Sequence, residues 1–478
     1  MILAAKAFAF TLFLSATFAG VAMYLAGDPG GLYLAASATM VCTFILPFIA
    51  RLVPPDPFSP LALATGALLL GSGLRVPYVL FSSESRAEFL MFGSDFYNIP
   101  NYSVVMCVAA LFFVFGYTTI VKRLPISVLP LCHYDVVLNG RFKILLITFA
   151  VTGGVSAIVF INSAGIDLSS GLLTASRKAF IIHETAAGDA VAGAGGLPRF
   201  LVNFAEVPLL ILAALLITKR VRPSFTVLLL ITAAAIPVFF IPFLTSSRSA
   251  IVLVLVKVGI VAYYFDRLKI RHVLIGFVLI TMTVTVMGNL RERNMAGIYE
   301  GRSVLGSIVG SGNGLDIIRT AGIMDRVPQV APYLHGKTYL SLLTFYVPRS
   351  IWAAKPDVAL GPWVKEQVFG HPVPGNNGWP SGMIAEAYIN FGMLGVPVVM
   401  LLFGALLRLV YNSFLPYLGV SLPMTVFYAL FAWRLGFGMI GLNFAHSVSQ
   451  ILISVIPMLL FFVLLGHHSK RVQHPALA

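Results

Sequence analysis

Charge is what this sequence has least of. Asp, Glu, Lys and Arg make up 10% of its 478 residues, against about 25% in a soluble domain. So little charge excludes three globular domains in water and makes lipid the solvent for most of the surface. Cysteine is nearly absent: Cys42, Cys107 and Cys132 stand alone, which excludes a disulfide framework and any Cys-spaced metal motif. No basic run carries interleaved aromatics on a soluble module, so nucleic acid is not the partner behind the net charge of +14. No apolar run alternates at period two, which excludes a β-barrel. Low-complexity linkers and internal repeats are missing as well.

What the chain has is long apolar runs. A span needs roughly 20 apolar residues, and by that measure about twelve helices are expected, from 7–26 to 449–465. The fold class is therefore an all-α polytopic membrane protein, a single integral membrane domain over residues 1–478. Met1–Ala26 resembles a signal peptide in its lone Lys6, but its apolar run is too long and lacks a cleavage site, so it reads as the first span. With the N-terminus in the cytoplasm, every inside connection holds a cation, as the positive-inside rule requires, and the C-terminus is cytoplasmic too. The largest outside loop, 289–382, precedes the tenth helix and is too long for a plain connector. Within it, Gly314–Arg326 has a helical apolar stripe and is expected to lie in the interface plane. Gly336–Trp352 is expected to be a second interfacial or re-entrant segment.

The positive-inside rule has exceptions here, and they are informative. Arg75, Arg248, Lys257, Arg291, Arg293, Arg302, Arg319, Arg349, Lys355 and Arg434 fall on the outer face or in outer halves of helices. An intramembrane charge costs at least about 2.5–3.5 kcal/mol and needs a partner. Outside carboxylates are few, so an anion bound by the protein is the economical partner. A diphosphate-linked lipid fits: Arg clamps its oxygens and its tail stays in the bilayer. Arg75, Arg302 and Arg319 also fit as side chains that merely snorkel to headgroups. Arg248 lies in a Ser-Ser-Arg-Ser turn at a helix start, and Arg349 sits between Pro348 and Trp352 in a constrained loop. Lys257 and Arg434 fit either a buried ion pair or the lining of a substrate cavity.

The runs GIMDRVPQVAPYLHGKTYLSLLTFYVPRSIWAAKP and SGMIAEAYINFGMLG, with SSRSA ahead of an apolar helix, resemble the bacterial oligosaccharide repeat-unit polymerases of O-antigen and exopolysaccharide synthesis (Wzy-type). The likeness covers roughly the last half of the chain. It implies a glycosyltransferase of GT-C-like architecture in the bacterial inner membrane, with its site on the periplasmic side. It implies undecaprenyl-diphosphate-linked glycans as donor and acceptor, a metal-independent, inverting transfer without a cofactor, and a chain-length regulator and a flippase as partners. An O-antigen ligase, with the same donor and a different acceptor, and a lipid-linked oligosaccharide flippase are the alternatives.

Such a transfer needs cations for the leaving diphosphate and a base for the attacking hydroxyl. Arg248 and Arg349 are assigned the first task, with Arg291 third and Lys257, Arg434 and Lys355 as further substrate contacts. Glu386, one turn into a helix at the mouth, is the choice of base, although the same position suits a residue complementing a helix dipole. Asp357 and His371 are the other base candidates; Trp352, Trp363 and Trp379 can stack on sugar faces.

Overall fold

The computed structural model describes residues 15–28, 30–49, 56–81, 99–120, 122–126, 129, 131, 139–172, 175, 191–245, 247–294, 317–344, 347, 352, 360–371 and 378–466, with the side chains of a few helical residues outside the description. Those residues contain helices and no strand. Among the described residues, ten helices are long and apolar enough to cross a membrane, and two shorter apolar ones accompany them. In chain order they are α1 (Ser15–Leu25, short), α2 (Gly30–Phe48), α3 (Pro60–Tyr78), α4 (Asn101–Thr119), α5 (Gly140–Ser163), α6 (Leu197–Ile217), α7 (Phe225–Leu244), α8 (Ser249–Tyr264, short) and α9 (Ile270–Met287). After the loop helix α10 (Ile317–Arg326) come α11 (Met383–Phe414), α12 (Leu422–Gly441) and α13 (Phe444–Leu465). Ten of the twelve expected runs have spanning length; the first, described only from Ser15, and the eighth are shorter. Lipid offers no hydrogen-bond partner, so each run satisfies its own backbone as helix. Serine or asparagine caps several starts: Asn139 accepts from Phe142 N at 2.8 Å, and Ser59 from Ala62 N at 3.2 Å.

Helices α4 and α11 pack closest, and small residues are the reason. A Cβ on Gly404 would sit 2.0 Å from Phe113 O, and one on Gly116 2.0 Å from Leu401 O. Without a hydrophobic drive between helices in lipid, such close backbone approach is what holds them together.

The loop before α11 does not float above this bundle. Ile317, Ile318, Met324, Val364 and Val368 belong to the same hydrophobic core as α3, α4, α6, α11, α12 and α13. Helix α10, expected on the interface plane, is buried from Ile317 to Met324. Both its sides are covered by protein: Tyr388 of α11 donates to Val327 O at 2.9 Å, and Tyr102 of α4 bonds Asp325. Arg75 and Arg319, which suited snorkelling, are 1% and 4% exposed, and Arg319 Nη1 donates to Pro380 O at 2.9 Å. They turn inward rather than to headgroups.

The two ends of the bundle differ. At one, Asp56 ties three helices: Tyr264 of α8 donates to its Oδ2 at 2.7 Å, Tyr411 of α11 bonds the same oxygen, and Phe58 N donates to Oδ1 at 2.9 Å where α3 begins. At the other end lie the starts of α11 and α13 and the finish of α12.

Candidate functional site

Helix α11 is two helices in one. Gly392 has φ 69° and ψ −162°, outside helical space, and breaks a stub (383–391) from the longer remainder. Only glycine adopts this conformation at low cost, and a Cβ there would also meet the Tyr333 hydroxyl at 3.3 Å. The break frees carbonyls inside the protein, and the preceding loop takes them up. Leu334 N donates to Ile389 O at 3.0 Å and His335 N to Asn390 O at 3.2 Å. Asn390 then locks the joint: its Oδ1 accepts from Gly336 N at 2.8 Å, and its Nδ2 donates to Thr338 Oγ1 at 2.8 Å. A discontinuous helix whose irregular backbone is satisfied by protein is a recurrent way to build a site inside a membrane protein.

Glu386 sits on this stub, 0% exposed. Its carboxylate accepts from Phe444 N at 2.6 Å, so it caps the first turn of α13. Asn443, at the N-cap of that helix, makes no side-chain cap bond, so Glu386 supplies the missing acceptor from another helix. The second oxygen, Oε1, is buried without a hydrogen-bond partner, with the Thr338 hydroxyl as the neighbouring donor. Tyr339 stacks on Phe391 with centroids 6.0 Å apart. Burial, then the Glu386 carboxylate, pushes the Tyr339 phenol above its ordinary range, so it stays an O–H donor. Glu386 lies in the first turn of α11. The carboxylate itself is enclosed and engaged with α13.

A second constellation lies deeper. Lys257 of α8 pairs with Glu206 of α6, Nζ to Oε1, at 2.5 Å, and both residues are buried. Arg434 of α12 is within electrostatic reach of both, and of His446 on α13. Arg434 begins a π-helical turn, Arg434–Gly438. Such a turn carries one extra residue and occurs often at functional sites. The α13 residue Ser447 donates to Gly438 O at 3.4 Å, which holds the first turn of α13 against the π turn. Arg434 Nε is buried without a hydrogen-bond partner. By helix rise, Arg434 and Glu206 lie roughly 10–14 Å from the ends of their helices on the Glu386 side.

The first turn of α13 therefore joins the two constellations, with Phe444 on Glu386 and His446 near Arg434. Of the sequence candidates, Lys257 and Arg434 come together. His371 and Trp379 also meet, edge to face at 5.2 Å, with Lys365 Nζ 5.8 Å from the Trp379 ring centre; that group is separate, in the loop. Trp352 is 42% exposed. Arg248 opens its helix and Arg291 lies past α9, in the continuation of that helix to Asn294, but their side chains are outside the description. Arg349, Lys355 and Asp357 lie wholly outside the described residues. Sequence reasoning missed Glu206 and His446. Glu206 had a signal: it is the one carboxylate in the apolar run 197–217.

These features define a class: a polytopic helical membrane protein whose charged residues converge within the bundle near one end. A family model described as "O-antigen polysaccharide polymerase Wzy" matches residues 192–469, from the start of α6 to just past α13. The chain belongs to that family, and so is a membrane-embedded O-antigen repeat-unit polymerase in general terms. No curated protein and no solved structure compared with the chain matches it.

Proposed function

We propose that this enzyme lengthens O-antigen by en bloc glycosyl transfer between undecaprenyl-diphosphate-linked repeat units at the periplasmic face of the bacterial inner membrane. The growing glycan leaves its carrier as an acceptor hydroxyl of the newest unit attacks the anomeric carbon. Negative charge then builds on the departing diphosphate, and stabilising it is the main electrostatic task.

One observation carries the reading. Two cations, Lys257 and Arg434, share a single carboxylate, Glu206, inside the bundle, leaving one positive charge in excess. Such a charge costs about 2.5–3.5 kcal/mol in a membrane, and a diphosphate repays that cost. Arg434 is the contact for the leaving group. Arg248, Arg349 and Arg291 are the further cations that the sequence offers for this task, at positions where the positive-inside rule disfavours them. Glu386 contributes by fixing the first turn of α13, not by touching the acceptor.

The test is reconstitution in lipid discs with purified lipid-linked repeat units, with and without a chelator. A ladder of products is expected from the native protein. Arg434→Met is expected to slow it at least about 100-fold, the loss typical of removing one donor to a developing anion. Movement of the units across a bilayer without lengthening, or an Arg434→Met enzyme of native rate, would sink the reading.

A further inference from the structure

His446 has no part in the reaction as proposed above, yet the fold places it near Arg434, the cation assigned to the leaving group. It lies one turn into α13, in the turn fixed on one side by Glu386 and on the other by the Ser447 bond to the π turn. Arg434 is the charged side chain within its electrostatic reach. The His446 carbonyl accepts from the Ser449 hydroxyl at 2.7 Å, a bond within its own helix. Among the described residues its imidazole has no hydrogen-bond partner, and neither ring nitrogen is among the buried atoms lacking one, so the ring edge meets open space.

A structural histidine inside a bundle normally spends one ring nitrogen on a carbonyl or carboxylate, because an unpaired polar edge in a low-dielectric interior is costly. This one is left open beside a guanidinium that is left open as well. Of the carboxylates nearest by packing, Glu206 spends one oxygen on Lys257 and Glu386 one on the Phe444 amide, while Glu386 Oε1 is enclosed without a partner. His446 differs in that its ring edge meets open space, and imidazole is the side chain whose neutral form is ordinarily available near pH 7.

We propose that His446 is the general base of the transfer. This rests on the polymerase reading above. The acceptor hydroxyl gives its proton to a ring nitrogen of His446 while its oxygen forms the new bond to the anomeric carbon. The bond from that carbon to the carrier diphosphate breaks, and its electron pair leaves with the diphosphate against Arg434. The imidazolium returns its proton to water once the carrier has gone. Two neighbouring side chains on α12 and α13 so serve the two ends of one displacement.

The experiment measures ladder formation and donor binding by native protein, His446→Gln and His446→Ala in lipid discs. General base catalysis contributes about 10²–10⁴-fold. His446→Gln is expected to fall by at least about 100-fold in turnover while binding the lipid-linked donor within about two-fold, and added imidazole is expected to restore part of the rate to His446→Ala. Native turnover in either variant overturns the proposal. So does a rate loss that tracks lost donor binding. No ladder from native protein defeats the polymerase reading instead, so the two failures are distinguishable. If neither variant inserts, diethyl pyrocarbonate on native enzyme decides. Inactivation should follow modification of His446 and be slowed by donor; inactivation with His446 unmodified refutes its role.

Discussion

The amide of Phe444 donates to Glu386 at 2.6 Å, so a carboxylate on one helix terminates the backbone of another. Side-chain caps normally come from the residue just ahead of their own helix. Here Asn443 occupies that place without forming the bond, and the acceptor arrives from 58 residues away. The arrangement fixes the angle of α13 against the α11 stub, and with it the position of His446.

Replacing this acceptor separates holding from chemistry. Glu386→Gln keeps a carbonyl oxygen for Phe444 N and is expected to retain its unfolding temperature and lose less than about ten-fold in turnover. Glu386→Ala leaves the amide unpaired and is expected to lose about 1–3 kcal/mol. Thermal unfolding and ladder rate, measured on both, check this. A Gln variant that folds normally and is inert would return Glu386 to the role of base.

The Lys257–Glu206 pair predicts a non-additive cycle. Glu206→Leu alone strands a buried ammonium at about 3–5 kcal/mol, whereas Lys257→Met alone leaves Glu206 the Arg434 guanidinium and is expected to cost less. The double variant removes the ammonium but leaves Arg434 without its carboxylate, and is expected to recover only part of the stability. Denaturation of the three variants in the same detergent gives the coupling energy; simple additivity would argue against the pair.

Gly392 predicts a backbone effect. Alanine at φ 69°, ψ −162° costs about 1–3 kcal/mol in strain, and its Cβ presses on the Tyr333 hydroxyl at 3.3 Å. Gly392→Ala is expected to lower both thermal stability and the proteolytic resistance of the segment around Leu334–Gly336. Alanine at Gly154, in the interior of α5 where a Cβ meets nothing within 4 Å, is the control expected to lower neither.

Asp56 predicts the converse separation, at the other end of the bundle. Asp56→Ala leaves the Tyr264 and Tyr411 hydroxyls without their shared acceptor, a loss of about 1–3 kcal/mol for each group left unpaired. Melting temperature is expected to fall while turnover per folded molecule stays near native.

Much of this architecture was legible in the sequence, for a physical reason. Lipid imposes a run of fixed length on every span, and nothing else in the chain produces such runs. That Lys257 and Arg434 sit within apolar helices was readable for the same reason. Their surroundings were not. Glu206 lies 51 residues from Lys257, and which side chains meet depends on helix rotation, which hydropathy does not encode. The stripe on α10 shows why an apolar face is ambiguous: Ile318 and Ile323 would suit lipid equally well, and instead meet protein. The sequence places Glu386 in the first turn of its helix; its bond from the Phe444 amide, a backbone group of a distant helix, leaves no mark in the sequence around it.

The π turn at Arg434–Gly438 has a consequence for lineage as well as shape. Excising one residue from it would restore regular winding and swing everything on one side by about 100° relative to the other. The residues before Arg434 and those past Gly438, now offset by the extra residue, would then share one regular register. A chain shortened by that single position would thus keep every span and lose the alignment of its inward-facing guanidinium, a change that hydropathy cannot see and that catalysis would.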